Sequence, residues 1–216
     1  MKKRLESLYL ENLDQIKSVR LKYNDYDLEG PFLISPSEKY NISKNKIFII
    51  GQQTNGWCCD IDSVQNQMKC YDDFNLGESY SSTPFWNVFH KIEKTILNDN
   101  YCSAWGNFNR YDFEADRPTG EIENEIAKLD YLLKDEIKVL KPDICFFLIG
   151  HSFDDRIKKL FPSAVFDKVG DWNINQLAKI KHADLPVYSY RTYHPKYLRL
   201  KSLEEPFINE LKKEIK

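Results

Sequence analysis

Apolar and polar positions alternate along this chain between a strand-like and a helix-like period. Residues 46–50 (KIFII) form a short apolar run that Gly51 stops, which predicts a buried strand. Further strands are predicted at 102–107, at 143–149 (DICFFLI, apolar enough to be buried on both faces) and at 187–190. Between them the period changes. The N-terminus, MKKRLESLYLENL, reads as an amphipathic helix, and Thr83-Pro84 opens another in which Phe85, Phe89, Ile92 and Ile96 recur at helical spacing. The most regular helix is expected from about 120 to 140, where Ile122, Ile126, Leu129, Leu133, Ile137 and Leu140 make one apolar stripe behind an acidic first turn. Ser152-x-x-Asp155 predicts a short capped helix after Gly150, and Ser202-x-x-Glu205 a terminal one containing Phe207, Leu211 and Ile215. Residues 60–82 read as a long polar stretch.

Strands alternating with helices of this length imply an α/β fold with three layers, α/β/α, around a central, mostly parallel four-stranded sheet. No repeat, low-complexity tract or Pro/Gly/Ser-rich linker divides the sequence, so one domain over residues 1–216 is expected. In such sheets ligands bind beyond the carboxyl ends of the strands. That rule nominates Gln52, Gln53, Thr54 and Asn55 after the first strand, Asn107 after the second, His151 beyond Gly150, and His194 after the last.

Composition narrows the class. With 30% charged and 42% hydrophobic residues the chain has the make-up of a globular protein. No apolar run approaches the roughly 20 residues that cross a bilayer, and the N-terminus lacks the apolar segment of a signal peptide, so an intracellular, cytoplasmic protein without membrane partners is expected. Five cysteines (Cys58, Cys59, Cys70, Cys102, Cys145) include no CxxC pair, which argues against a zinc site and for reduced thiols used as small apolar residues. The net charge of −2 advertises no polyanion, yet Lys181, Arg191, Lys196, Arg199 and Lys201 face a single acid, Asp184, over residues 181–201. Such a cluster can bind phosphates locally, or is simply a solvated surface run.

Amides and an imidazole at strand ends suit recognition of a neutral heterocycle, because Asn and Gln present a donor and an acceptor side by side, as base edges do. Glycine-rich phosphate loops are absent. The order of these motifs resembles the uracil-DNA glycosylase superfamily over residues 46–201. Gly51-Gln52-Gln53-Thr54-Asn55-Gly56 stands where its best-known branch has GQDPYH. Asn107 in AWGNFNR is similar to its base-reading asparagine, Gly150 in FFLIGHS to its third strand end, and His194-Pro195-Lys196-Tyr197-Leu198 to its HPSPL.

The resemblance implies a DNA glycosylase that acts on a flipped base without metal or cofactor. Gln53 and His194 take the catalytic positions; Gln52, Asn55 and Asn107 line the base site, with Trp57 and Phe74 as base-stacking rings and Phe85 as a further candidate that also suits a helix core. Leu198 takes the place of a wedge entering the duplex, flanked by Lys196, Arg199 and Lys201 on phosphates, or else is a core residue at the entry to the last helix. Such a wedge offsets the few kcal/mol of unstacking. His194 would donate to the base carbonyl as charge develops, or is simply a capped loop histidine. Two positions depart from the pattern. Gln53 replaces an aspartate and can orient water but not act as a base near neutral pH; Asn55 replaces the tyrosine that excludes thymine. Asp60 and Asp62 offer nearby carboxylates, or simply a solvated turn. Two other readings remain open: a non-catalytic nucleic-acid or nucleotide-binding module, and a thiol hydrolase using Cys58 or Cys59 with His194. His90 and His182 carry no motif and read as structural.

Overall fold

A computed structural model describes residues 1–58 and 60–215. In chain order the elements are α1 (Lys2–Glu11), α2 (Leu13–Lys22), β1 (Leu28–Glu29), α3 (Glu38–Ile42), β2 (Ile47–Gly51), α4 (Val64–Phe74), α5 (Pro84–Leu97), β3 (Ala104–Asn107), β4 (Asp112–Phe113), α6 (Gly120–Ile126), α7 (Tyr131–Leu140), β5 (Ile144–Leu148), α8 (Asp154–Leu160), β6 (Val165–Lys168), β7 (Leu177–Lys181), β8 (Tyr188–Thr192), α9 (Pro195–Leu200) and α10 (Glu204–Glu214). Short 3₁₀ turns punctuate them at 75–80, 127–129 and 151–153. The chain forms two compact units. The first comprises residues 1–36, 52–74 and 106–141, the second 37–51, 75–105 and 142–216.

The sheet has the order β3-β2-β5-β8-β7-β6. Its centre is parallel: Ile47 pairs with Ile144, and Ile144 with Tyr188. Every residue of β2 and β5 is buried, as their uninterrupted apolar runs require. The carboxyl ends of β2, β5 and β8 therefore share one edge, with His151 and His194 just beyond two of them. The sheet is α/β as expected, but six-stranded rather than four-stranded. The extra strands, β6 and β7, run antiparallel to each other, and β7 runs antiparallel to β8. Both carry charges and β6 is only partly covered, so neither shows the apolar run that marks a central strand. A separate antiparallel pair, β1 with β4, joins Glu29 to Asp112 in the first unit.

In the second unit the buried Glu93 on α5 organises the entry to β3. Its carboxylate accepts main-chain N–H groups of Tyr101 (3.0 Å), Cys102 (2.9 Å) and Ser103 (2.8 Å), and faces His90 Nδ1 at 2.8 Å. His90 is thereby tied to the same carboxylate. Glu93→Gln places an amide N–H₂ against donors, and thermal unfolding should register a loss of about 1–3 kcal/mol. An unchanged melting temperature would show that the loop does not depend on this carboxylate. Gly77 is required for space: a Cβ there would lie 2.2 Å from the Trp86 ring, and its φ is +66°.

The first unit closes around a buried ion pair. Arg110 meets Glu136 through two hydrogen bonds of 2.8 and 2.7 Å, and the Tyr9 hydroxyl donates to Glu136 at 2.6 Å. Both charged side chains are fully buried. The expected helix over 120–140 is broken into α6, a 3₁₀ turn at 127–129 and α7. Of its expected apolar stripe, Ile126, Leu129, Leu133, Ile137 and Leu140 are buried and Ile122 is half-buried, while Leu132 joins them in the core. Ile126, Leu129 and Leu132 step by three, the spacing of a 3₁₀ turn, and the Asp130 N–H donates to Ala127 O accordingly. Helix α4 lies within the stretch that reads as merely polar, yet Val64, Met68 and Tyr71 bury one face of it. Neither expected capping box forms: the residues preceding α8 and α10 are Phe153 and Leu203, without side-chain caps, and Ser202 has φ +56°.

Candidate functional site

His194 is placed by the start of α9. Its Nδ1 accepts the Lys196 N–H at 3.3 Å, so the side chain caps its own helix. Phe85 of α5 stacks on the imidazole with ring centroids 6.1 Å apart and planes 25° apart, while α5 packs against α9. Burial, aided by the Lys196 charge, lowers the His194 pKa from 6.5 to about 4. The ring is therefore neutral at physiological pH. Because Nδ1 accepts, the single ring proton of this neutral form is assigned to Nε2, which leaves one N–H donor facing away from the cap. Phe85 is thus a half-buried ring that sets His194's orientation.

The loop following β2 belongs to the first unit and is held from two sides. From β4, the Asp112 carboxylate accepts the Thr54 hydroxyl at 2.5 Å. Burial raises the Asp112 pKa above the ordinary carboxylate range and Glu29 adds to this; the Thr54 hydroxyl and the main chain of Gly56 and Trp57 oppose it by hydrogen bonding. From α4, the Gln67 amide accepts Trp57 Nε1 at 3.0 Å and donates to Cys58 O at 2.8 Å. The loop carries Gln52 and Gln53 half-buried and Asn55 exposed. The Gln53 Oε1 atom is buried without a hydrogen-bond partner among the described residues. Asn107 at the end of β3 is fully buried, and the Asn109 N–H donates to Gln52 O at 2.8 Å, which ties the two strand-end segments together.

The nominated residues therefore fall into two groups, Gln52, Gln53, Asn55, Trp57, Phe74 and Asn107 on the first unit, and His194, Lys196, Leu198, Arg199 and Lys201 on the second. Several differ from expectation. Trp57 is buried, its indole N–H is taken by Gln67, and its ring packs edge-on against Phe32 and Phe74 at 5.1 and 5.6 Å. It reads as a core ring of the loop. Leu198 is 0% exposed, a core residue of α9, and the exposed leucine of that helix is Leu200 at 74%. The cause is local: α9 starts at Pro195, so Pro195 and Leu198 lie one turn apart on its inner face.

Of the basic run, Arg191 is buried and held by Asp154 at 2.8 Å together with the carbonyls of Ile174 and Asn175; Lys181 pairs with Asp167, and Arg199 with Glu204 at 3.4 Å. Lys196 and Lys201 are exposed. Asp60 caps the turn into α4 by accepting from Asp62 and Ser63 main-chain N–H groups, in keeping with a turn role. His182 bonds Pro162 O at 2.9 Å and is structural.

The cysteines also differ from expectation. Cys58 and Cys70 form a disulfide, whereas Cys102 and Cys145 are free and buried. Burial pushes the Cys102 thiol up to about 11. The disulfide is possible because α4 brings Cys70 alongside the loop, which a helix-free reading of residues 60–82 could not foresee. A nucleophilic role for Cys58 is thereby removed, and Cys59 lies outside the described residues. No group of His, Cys, Asp and Glu suited to a metal occurs among the described residues, and no helix there is long and apolar enough to cross a membrane.

Sequence reasoning passed over Gln67, Asp112 and Phe85's stacking on His194. The spacing of Val64, Met68 and Tyr71 would have exposed α4 and hence Gln67; nothing in the sequence pairs Asp112 with Thr54. No protein-family model matches the chain, and no curated protein matches it in sequence.

Proposed function

We propose that the chain is a divergent, three-layer uracil-DNA glycosylase-type protein that hydrolyses the N-glycosidic bond of uracil or another altered base in DNA. The observation that carries this reading is His194: a neutral imidazole, oriented by Phe85 and by its own cap, with Nε2–H left as a donor. Breaking the bond between C1′ and the base sends the electron pair to the base, where it spreads onto a carbonyl. A neutral N–H donor stabilises that developing charge, and one such donor is commonly worth about 10²–10³ in rate. Water adds its oxygen to C1′ and gives up its proton to solvent, and the departing base is protonated in turn. The resemblance leaves Gln53 only the lesser role of orienting water, since an amide is no base near neutral pH. Asn107 and Gln52 are the amide edges that the resemblance gives to base recognition.

The test is to incubate the protein with single- and double-stranded oligonucleotides carrying uracil or hypoxanthine, then cleave abasic sites with alkali. Scission that His194→Ala abolishes supports the reading. A second reading, a nucleic-acid-binding module without catalysis, is favoured by Gln53 itself. It predicts salt-dependent binding with no scission. No binding to any nucleic acid contradicts both.

A further inference from the structure

Next to His194 the second unit carries a row of rings and cations that the proposed chemistry does not use. His151 lies edge-on to Tyr193, with centroids 5.9 Å apart, and Tyr193 lies edge-on to Tyr197 at 4.6 Å. The Lys201 ammonium sits 5.4 Å from the Tyr197 ring centroid. The row runs from the carboxyl end of β5 across the end of β8 to the last turn of α9. It is accessible: His151, Lys196 and Lys201 are exposed, Tyr193 is half-buried, and Tyr197 is 40% exposed.

Core packing explains none of this exposure. The inner face of α9 is filled by Pro195 and Leu198, so Tyr197 stands on the outer face beside Lys196 and Lys201. Neither lysine has an ion-pair partner among the described residues, although Arg199 on the same helix is paired with Glu204. Exposed rings flanked by uncompensated cations match a ligand that offers flat π-faces on a polyanionic backbone. Unpaired nucleotides are such a ligand. A duplex hides its base faces within the stack, and Leu198, at the position the resemblance gives to a duplex-opening wedge, is fully buried.

We propose that the row His151–Tyr193–Tyr197–Lys201, with Lys196, is a track for single-stranded nucleic acid, so that the base-excision activity proposed above takes its base from an unpaired strand. The substrate part of this statement rests on that activity, while the track itself is tested by binding alone.

The experiment is fluorescence anisotropy of the full chain with a labelled oligothymidine and with the same strand annealed to its complement, over a salt series. The track predicts single-strand binding at least about tenfold tighter than duplex binding. Tyr197→Ala should weaken single-strand binding about tenfold, the usual scale for removing one stacking ring. The Lys196→Ala/Lys201→Ala double variant should flatten the plot of log affinity against log salt, its slope falling by about 0.7 for each phosphate that is no longer neutralised. These side chains are exposed, so an unchanged melting temperature confirms that the variants fold. Equal or tighter binding of duplex, weakened by Leu200→Ala, would overturn the track in favour of a duplex wedge on Leu200. Unchanged single-strand affinity in Tyr197→Ala would overturn it as well. Base release from duplex that ignores Tyr197→Ala sinks the unpaired-strand substrate and spares the glycosylase reading. Tight, Tyr197-dependent single-strand binding without base release from any oligonucleotide supports the track and sinks that reading.

Discussion

Glu136→Ala is expected to be among the most destabilising single substitutions in the first unit, costing about 3–5 kcal/mol. The carboxylate accepts two hydrogen bonds from Arg110 and one from Tyr9, and both charged side chains have no exposed surface. Truncating it leaves a guanidinium that cannot be deprotonated in an apolar interior, and takes the acceptor from the Tyr9 O–H, whose oxygen still accepts the Ile34 N–H. Burial, reinforced by Glu136, holds the Tyr9 pKa well above its ordinary value, so that hydroxyl is a permanent donor. The size of the effect reflects the charge left behind, not the worth of the pair. Arg110→Met/Glu136→Leu removes both charges and should recover most of the loss, a non-additivity that urea denaturation of the single and double variants measures. If the single variant unfolded at the wild-type urea midpoint, the pair would be irrelevant to the unit's stability.

His194→Ala should reduce the rate of base release about 10²–10³-fold with little change in oligonucleotide affinity. The donor it removes strengthens only as charge develops on the leaving base. The pH profile separates this role from that of a charged histidine. With a pKa of about 4, the ring stays neutral between pH 5 and 8, so the rate should show no step there that His194→Ala removes. A step centred near 6.5 that disappears in the variant would mean that the imidazolium acts instead. Stability follows the same titration. The folded pKa lies below the unfolded value, so between pH 6.5 and about 4 the unfolded chain binds a proton that the fold resists. Stability contributed by the neutral ring is complete above that window and is lost as pH falls through it. His194→Asn should lessen this acid sensitivity.

How legible these features were depends on how local their causes are. Strands β2 and β5 announce themselves as uninterrupted apolar runs because they are buried on both faces. The stop at Gly51 consequently places Gln52 in the sequence alone, whereas the last strand, expected over 187–190, runs on to Thr192, just before His194. Strands β6 and β7 were hidden because lysines and an aspartate interrupt them, as suits strands at the sheet margin. Leu198 shows a different limit. The motif fixed its position in the chain, but whether it projects or packs depends on where α9 begins, and Pro195 settles that. Arg191 read as a member of a basic surface run, and only the distant Asp154 turns it into a buried structural charge. The disulfide between Cys58 and Cys70 needed α4, whose apolar face is thin among polar residues. The aromatic row was readable as letters, but its continuity from His151 to Tyr197 exists only because β5 and β8 are neighbours.

Chromatographic detection of free base is the decisive measurement for base excision through His194. A single-stranded oligonucleotide carrying one uracil, and a second carrying hypoxanthine, are incubated with excess wild-type protein and with His194→Ala. At least one free base should appear with wild-type protein, stoichiometric with alkali-labile sites, and His194→Ala should suppress it at least about 100-fold. Free base released equally by both proteins, or by neither, contradicts a glycosylase that works through this histidine.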